Sequence, residues 1–286
     1  MDLTLVIPLR LGEGAPRDLR RLAAILAARP PSMPVVVADD TADPALAART
    51  EALLAAAPRA RRLAAVEGAG RPFSVGRLRD LGAAAAQTRH VLFHDVDFAA
   101  PRAAYEGLAE HAAAEMTEDA AFACAPVWFL NRLGGGVWRA APEALRRSLG
   151  RAMEGRHPLA RRLTRGSSAM LLSREGLAAV GGHCRRFEGH GAEDFELLHR
   201  LALRRPLGPR PERFAEDFGA EDRGAAGFRA YFARAAAPLI AKGLALVHLP
   251  HPPRRGDPRY LAARARNFAL LREALAGSDL GRPRER

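Results

Sequence analysis

Lysine is almost absent from this 286-residue sequence. Lys242 is the only one, although the formal net charge is +12 at pH 7. The positive charge is therefore nearly all arginine, and it is spread among alanines along the chain instead of forming one basic stripe. No nucleic-acid-binding motif accompanies it, so we expect no nucleic-acid partner. Attraction to an anionic substrate or to acidic lipid head groups is compatible with this charge.

Cysteine is scarce, and long apolar runs are missing. Cys124 and Cys184 stand far apart, which is typical of free thiols in a reducing compartment and not of a disulfide framework. No stretch of about 18 apolar residues could span a bilayer. Strand-like sequence begins at Leu3, which leaves no room for a signal peptide. We expect a cytoplasmic protein without a transmembrane segment, and peripheral association with the inner membrane face stays open.

Strand-like and helix-like segments alternate through the first hundred residues. Short runs of valine, leucine and isoleucine predict strands, and longer amphipathic stretches predict helices. The expected strands are Leu3–Ile7, Pro34–Ala38, Leu63–Val66 and His90–His94, and the expected helices are Pro16–Ala28, Pro44–Ala57 and Val75–Gln87. This alternation predicts an α/β fold with a mostly parallel sheet and helices on both faces. In such sheets, ligands bind beyond the carboxyl ends of the strands.

The second half of the chain is less regular, and neither a repeat nor a linker divides it. The segments with a readable pattern are a Gly-rich loop at Gly134–Gly136, helices at Pro142–Glu154, Ala192–Leu203 and Pro258–Ala276, and strands at Ser168–Ser173 and Leu244–His248. We therefore expect a single domain over residues 1–276, followed by a flexible tail at 277–286.

The segment Phe93–Asp97 ends an apolar strand with two carboxylates, Asp95 and Asp97. Strand side chains alternate, so both are expected on the same side of the chain. Two hard oxygen ligands at a strand end suit a magnesium or manganese ion that holds a diphosphate. A D-x-D triplet is common by chance, so by itself it could equally be a solvated strand end.

A second acidic motif lies in the block Arg165–Arg200. An apolar strand and a short helix lead to Gly181-Gly182, after which the segment FEGHGAED enters a helix. Glu193 and Asp194 fall in the first turn of that helix, where backbone N–H groups favour ionised carboxylates. They could simply cap the helix. They could also provide a general base in an approachable pocket.

Together these motifs resemble a known enzyme family. The first strand with its IPLR ending, Phe73–Arg77 followed by Leu81-Gly82, the HDVD segment and the GG…GHGAED block look like galactosyltransferase-type GT-A enzymes. This group includes the C-terminal region of the β-1,4-galactosyltransferases and bacterial glycosyltransferase family 2 enzymes that build capsular polysaccharides. The resemblance implies a Rossmann-like GT-A fold, with a nucleotide-sugar-binding half at 1–100 and a smaller acceptor-binding half at 101–276.

The resemblance also implies roles for individual residues, several of which follow the ends of predicted strands. For donor binding these are Pro8, Leu9, Arg10, Asp39 or Asp40 near the base, Phe73 against the nucleotide, Arg77, and Asp95 facing the ribose. Asp97 would ligate the metal. Asp194 would be the general base, and Glu193 would bind the acceptor.

A further metal ligand in this family comes from near the C-terminus. Val247–His251 brings two histidines together at a strand end, and neutral imidazole binds manganese well. His251 matches the family position, whereas His248 stands where the galactosyltransferases have methionine and needs a separate test. Glu188 and His190 replace tryptophans that would stack on the acceptor sugar, so His190 becomes a candidate acceptor contact and the sugars can differ.

The implied reaction is a single displacement that inverts the anomeric carbon. The metal and Arg10 or Arg77 would neutralise the leaving nucleoside diphosphate, expected to be UDP, while Asp194 takes the proton of the acceptor hydroxyl. A sugar-nucleotide pyrophosphorylase is one alternative, but it needs a lysine in an N-terminal Gly-rich loop. A catalytically silent carbohydrate-binding or scaffold subunit is the other, and the joint presence of Asp97, Asp194 and His251 argues against it.

Overall fold

The computed structural model describes residues 1–65, 73–153, 156–166, 168–189, 191–219, 226–251 and 258–277. Its strands in these ranges are β1 (Leu3–Leu9), β2 (Val35–Asp39), β3 (Ala60–Ala64), β4 (His90–Phe93), β5 (Phe98–Ala99), β6 (Phe122–Cys124), β7 (Val127–Leu130), β8 (Ala160–Thr164), β9 (Met170–Ser173) and β10 (Leu246–His248). Its helices are α1 (Ala15–Ala28), α2 (Pro44–Ala55), α3 (Val75–Ala85), α4 (Arg102–Glu115), α5 (Arg132–Ala140), α6 (Pro142–Arg151), α7 (Arg174–Ala179), α8 (Glu193–Arg204), α9 (Gly227–Ala233), α10 (Ala237–Ala241) and α11 (Pro258–Ala276). The chain thus has the predicted α/β class.

The larger sheet has the strand order β3-β2-β1-β4-β9-β6, in which only β9 runs against the others among the described strands. Every residue of β1 is buried, because helices cover both faces of the sheet. Ile7 belongs to the cluster that packs on α1 and α4, whereas its neighbour Val6 packs toward α3 and α8. The predicted mostly parallel sheet between two helical layers is confirmed.

A smaller sheet stands beside the first, with the order β5-β10-β7-β8. β10 pairs with β5 in antiparallel register, opposing His248 to Phe98. Just beyond the paired residues, the backbone N–H of Leu249 donates to the carbonyl of Asp97 over 2.9 Å. This pairing brings the C-terminal strand against the turn that follows β4, and so it assembles part of the candidate site.

The predicted Gly-rich loop at Gly134–Gly136 is wrong, because these glycines lie inside α5. The Asn131 side chain caps the helix by accepting from the N–H of Gly134 over 2.8 Å. A methyl group on Gly134 would lie only 2.0 Å from the carbonyl oxygen of Leu159, so glycine is used here for close approach. The sequence analysis also gave no prediction for α4, although Tyr105 and Leu108 of this Ala-rich helix are fully buried.

Several expectations fall outside the described residues: the end of the third strand at Val66, the end of the helix at Glu154, His190, and the tail beyond Gly277. The single domain over residues 1–276 stays a prediction. Within the described ranges, no helix combines the length and apolarity needed to cross a bilayer.

The packing of α5 predicts opposite effects for two neighbouring glycines. Gly134→Ala should lower the free energy of unfolding by about 1–3 kcal/mol, because its methyl group must displace the Leu159 carbonyl. Gly136→Ala meets nothing within 4 Å and should raise that free energy by up to about 1 kcal/mol through helix propensity. Urea unfolding of both variants measures the difference, and equal changes would contradict the close approach.

Candidate active site

The two carboxylates of the HDVD segment lie in a turn and not on a strand. β4 ends at Phe93, and the N–H of Phe98 donates to the carbonyl of Asp95 over 2.9 Å to close the turn. The alternation of strand side chains therefore does not apply to Asp95 and Asp97. Each carboxylate contacts its own set of partners, which divides the site into two parts.

Arg79 on α3 is the centre of the first part. Its side chain is 2% exposed, and its two terminal nitrogens bind different carboxylates: Nη2 donates to Asp95 over 2.8 Å and Nη1 to Asp194 over 2.5 Å. The hydroxyl of Ser168 donates to the other oxygen of Asp95 over 3.0 Å. The guanidinium thereby joins the turn after β4 to the first residues of α8.

The charges around Arg79 affect its two partners differently. Burial alone would raise the pKa of Asp95, but Arg79 and Ser168 outweigh it, and the pKa is lowered. Burial raises the pKa of Asp194 to about 6 against the opposing effect of Arg79, and the nearby Glu193 and Asp95 charges add to the rise. The pKa of Asp194 is therefore close to neutral pH, as a general base requires.

The loop before α8 holds Glu193 and Asp194 in place. Gly189 and Gly191 have φ of +76° and +110°, and Ala192 also takes a left-handed φ of +70°. The N–H of Gly191 donates to the Glu193 carboxylate over 2.7 Å, and that side chain is buried. Burial raises the pKa of Glu193. The structure confirms that both carboxylates lie in the first turn of α8.

The Gly181-Gly182 turn is fixed against α3. Both glycines have positive φ, and a methyl group on Gly182 would lie 2.6 Å from Asp80 Oδ2. Asp80 accepts from the His183 N–H over 2.8 Å and contacts the His183 ring at Nδ1 over 2.6 Å. The turn therefore needs glycine, and it packs beside Arg79 on the same helix.

The second part of the site gathers Asp97, His248 and His251. One ligand atom from each lies within 4.8 Å of the others, and the three side chains are half-buried. The His251 Nε2 atom is 3.4 Å from Asp97 Oδ2, and His248 stacks on Phe129 with ring centroids 4.4 Å apart. Burial, together with the charges of His251 and Arg21, lowers the pKa of His248 to about 4, so its imidazole is neutral at pH 7.

This donor set fits a divalent ion. One carboxylate and two imidazoles are suitable ligands for manganese, and their ligand atoms are gathered within 4.8 Å of one another. Arg21 on α1 also binds Asp97, and its Nη2 atom donates to the carbonyls of Leu249 and Pro250 over 3.2 Å each. Arg21 therefore links α1 to the segment that carries His251.

Beyond the ends of β1 and β2, Arg10 and Asp40 form an ion pair, and the Arg10 guanidinium lies 5.0 Å from the Phe73 ring centre. Pro8 and Leu9 are buried in β1, so only their backbone could contact a ligand. The Arg77 side chain points toward the Ala65 carbonyl at 3.4 Å.

The carboxylate of Asp39 is bound by neighbouring groups of the protein itself. It is fully buried, and its carboxylate binds Arg62 over 2.7 Å and the N–H of Thr41 over 2.9 Å. Of the two aspartates at the end of β2, Asp40 is therefore the better placed to meet a ligand, because its partner Arg10 is about one third exposed.

The sequence analysis missed Arg79, Arg21 and Ser168, all of which contact predicted site residues. One signal was available for Arg79. It lies three residues after Gly76 and three before Gly82, hence on the face of α3 that packs inward, where an arginine requires a buried partner.

Comparison with known proteins gives a family. Residues 4–275 match the family described as glycosyltransferase like family 2. No curated protein matches the sequence. Among solved structures, residues 1–349 of TarS from S. aureus share 17% identity at a TM-score of 0.45, with 70% of this chain covered and 55% of that one. The present chain thus spans little more than half of that structure.

Two further solved structures are covered more fully. Glucosyl-3-phosphoglycerate synthase from Mycobacterium tuberculosis, in complex with Mn²⁺, uridine diphosphate and glucosyl-3-phosphoglycerate, is 19% identical at a TM-score of 0.46, covering 98% of this chain and 81% of that one. The mannosyltransferase PcManGT from Pyrobaculum calidifontis, in complex with GDP-Man and Mn²⁺, is 16% identical at 0.45, covering 97% and 76%. Because the family match spans residues 4–275, the chain belongs to the glycosyltransferase-like family 2.

Proposed function

We propose that the protein transfers a sugar from a nucleotide diphosphate sugar to a hydroxyl of a carbohydrate acceptor, with inversion at the anomeric carbon. The observation that carries this proposal is the Arg79 bridge, which joins Asp95 on the donor side to Asp194, the candidate base. A donor bound beyond the strand ends would then present its sugar near the base. A UDP-hexose donor and a role in capsular or surface polysaccharide synthesis are finer proposals that rest on the family resemblance.

On the donor side, we assign the nucleotide to the group formed by Arg10, Asp40 and Phe73. The aromatic ring and guanidinium offer stacking surfaces for a base, and Asp40 offers a hydrogen-bond acceptor. The backbone of Pro8 and Leu9 would border this group. Asp95 would bind the ribose, and its lowered pKa keeps it an acceptor at neutral pH.

For the diphosphate, we assign a Mn²⁺ or Mg²⁺ ion to Asp97, His251 and His248. When bound, such an ion supplies the positive charge that stabilises a leaving diphosphate. Arg21 stands next to these ligands and adds positive charge of its own, while Arg10 and Arg77 supply further cationic side chains at the sheet edge.

For the acceptor, we assign the proton transfer to Asp194. One of its oxygens is held by Arg79, and the side chain is about one fifth exposed, so the other oxygen can receive a proton from an approaching hydroxyl. Glu193 would orient the acceptor from the same helical turn, and His190 is proposed as a further acceptor contact.

Metal binding should depend on the three ligands unequally. Asp97→Asn and His251→Gln should each weaken Mn²⁺ binding at least about tenfold, because the first removes the negative charge of the ligand and the second replaces an imidazole nitrogen with a weaker amide oxygen. A chelator should abolish transfer. Isothermal titration of Mn²⁺ in the presence of UDP measures these affinities. Asp119→Asn, an exposed carboxylate paired with Arg89, is the control that should change nothing.

The same titration on His248→Ala tests whether His248 is a metal ligand. An unchanged affinity for Mn²⁺ would show that it is not. Full activity of Asp97→Asn in the presence of chelator would contradict the metal assignment as a whole.

Removing the base should separate catalysis from binding. Asp194→Asn keeps the side-chain shape and an oxygen for Arg79 but cannot accept a proton, so transfer should fall by about 10²–10⁴ while donor affinity changes only a few-fold. Glu193→Gln should act mainly on the acceptor KM. Steady-state kinetics and nucleotide-sugar binding on the same preparations distinguish them. Substantial transfer by Asp194→Asn together with an inactive Glu193→Gln would show that the base is Glu193.

The pH dependence of transfer should follow Asp194. Below pH 6 the carboxylate is protonated and cannot act as a base, so kcat/KM should rise through an apparent pKa of about 6 and level off above it. The rates are measured from pH 4.5 to 8.5 with the fold checked at each pH. A profile that is flat across pH 6 would contradict this assignment.

A catalytically silent binding subunit is the remaining candidate from another class. It would bind nucleotide sugar without hydrolysing it. Slow donor hydrolysis by the wild-type protein, absent in a preparation of Asp194→Asn, distinguishes the transferase from this alternative. Family membership already places the chain with glycosyltransferases and not with pyrophosphorylases.

A further inference from the structure

A cleft of about 630 Å³ lies beside the candidate active site, outside the residues assigned so far. Its wall on one side is α11, with Arg264, Phe268 and Arg272, and on the other side the segment that carries Glu216 and Asp217. Its volume is in the range of small-molecule sites. Phe228, which is fully buried, forms its floor.

The cleft adjoins the loop that holds the candidate base. A methyl group on Gly191 would lie 3.4 Å from Cγ of Arg264 and 3.7 Å from Cε2 of Phe268, so these two lining residues pack directly on that glycine. Gly191 in turn donates its N–H to Glu193. From the other side, Phe195 on α8 packs against Phe228 with ring centroids 5.0 Å apart.

The carboxylates of the cleft are already neutralised by arginines that do not line it. Arg229 binds both oxygens of Asp217, over 2.5 and 2.9 Å, and Arg213 binds both oxygens of Glu216, over 2.5 and 2.8 Å.

Of the arginines on α11, Arg264 and Arg272 line the cleft. Both are exposed, and within the described residues neither lies within ion-pair distance of a carboxylate. The Arg264 guanidinium lies 4.8 Å from the Phe268 ring centre. When Arg213 and Arg229 are counted with the lining, four arginines stand against two carboxylates, so the cleft has a positive excess next to an aromatic ring.

We propose that this cleft binds an anionic sugar unit of the acceptor, one that carries a carboxylate or a phosphate and is linked to the unit whose hydroxyl attacks. The proposal rests on the transferase function proposed above, because it identifies the class of acceptor for the same site. Phe268 packs against the apolar face of the sugar ring, and Arg264 and Arg272 donate charge-assisted hydrogen bonds to the anionic group. The remaining acceptor capacity of Glu216 and Asp217 serves the hydroxyls.

Titration of the full chain with matched probes tests this assignment. The probes are cellobiouronic acid against cellobiose, and glucose 6-phosphate against glucose, all at one ionic strength. At least one anionic probe should bind more tightly than its neutral counterpart, and the preferred pair shows whether the site takes carboxylate or phosphate. Arg264→Gln and Arg272→Gln should each weaken that binding about tenfold and leave the neutral sugar unaffected.

Arg205→Gln is the matched control, because Arg205 is an exposed arginine at the far end of α8 and pairs with Glu118. It removes the same charge from the protein and should leave the affinity unchanged. Equal binding of anionic and neutral probes, or equal losses in Arg264→Gln and Arg205→Gln, would overturn the cleft assignment.

Donor hydrolysis, measured on the same preparations with a panel of nucleotide sugars, keeps the two proposals apart. Hydrolysis without any preference for anionic probes would overturn the cleft assignment and leave the transferase standing. Preferred anionic binding lost in the Arg264 variant, without hydrolysis of any donor, would support the cleft as a site for anionic sugars and count against the transferase.

Discussion

The candidate site depends on one buried charge. The Arg79 guanidinium is removed from water, and a buried cation without partners is costly enough that a chain normally avoids it. Asp95 and Asp194 provide those partners, from a turn and from a helix that lie far apart along the chain. The two ion pairs of Arg79 therefore fix where α8 begins relative to the edge of the sheet. They also fix the position of the candidate base.

Close packing of α3 allows the Arg79 guanidinium to be buried at the edge of the sheet. A methyl group on Gly82 would lie 2.3 Å from Val6 Cγ1, and one on Gly76 would lie 2.8 Å from His183 Cβ. These two glycines let the helix approach the sheet on one side and the Gly181-Gly182 turn on the other. Arg79 stands between them in the same helix and reaches the carboxylate of Asp95 just beyond the end of β4.

The two aspartates of the HDVD segment have separate electrostatic environments. Asp95 is paired with Arg79, and Asp97 is paired with Arg21 and lies next to His251. Backbone hydrogen bonds fix the turn at both ends, from Phe98 to Asp95 and from Leu249 to Asp97. One short turn can thus present one carboxylate to Arg79 and Asp194 and the other to His248 and His251.

Much of the fold could be predicted from the sequence, because its information is local. Four of the five strands and all three helices of the first hundred residues follow from apolar periodicity, although β3 begins at Ala60 and not at the predicted Leu63, and the short β5 was not predicted. Their order implies where polar residues collect. The acidic candidates came from two short motifs, and their roles, implied by the family resemblance, stay predictions. α5 was missed because Gly134 reads as a loop residue unless the carbonyl of Leu159 beside it is known.

The partners of the acidic residues could not be predicted, because they depend on long-range contacts. Arg79 and Asp194 are separated by 115 positions and Arg21 and Asp97 by 76. The sequence around each arginine does not specify which carboxylate the arginine will bind in the folded protein. The arginine-lined cleft beside α11 is likewise visible only when the helix is placed against the loop that carries Gly191.

The left-handed backbone at Ala192 has a consequence for how this chain can change. A side chain at φ of +70° costs on the order of 1 kcal/mol relative to glycine, and this strain lies directly before the two carboxylates of α8. Glycine there would relieve the strain, but it would also raise the conformational entropy of the unfolded chain. The two effects on the free energy of unfolding oppose each other, so the chain can keep alanine at this position at little cost in stability.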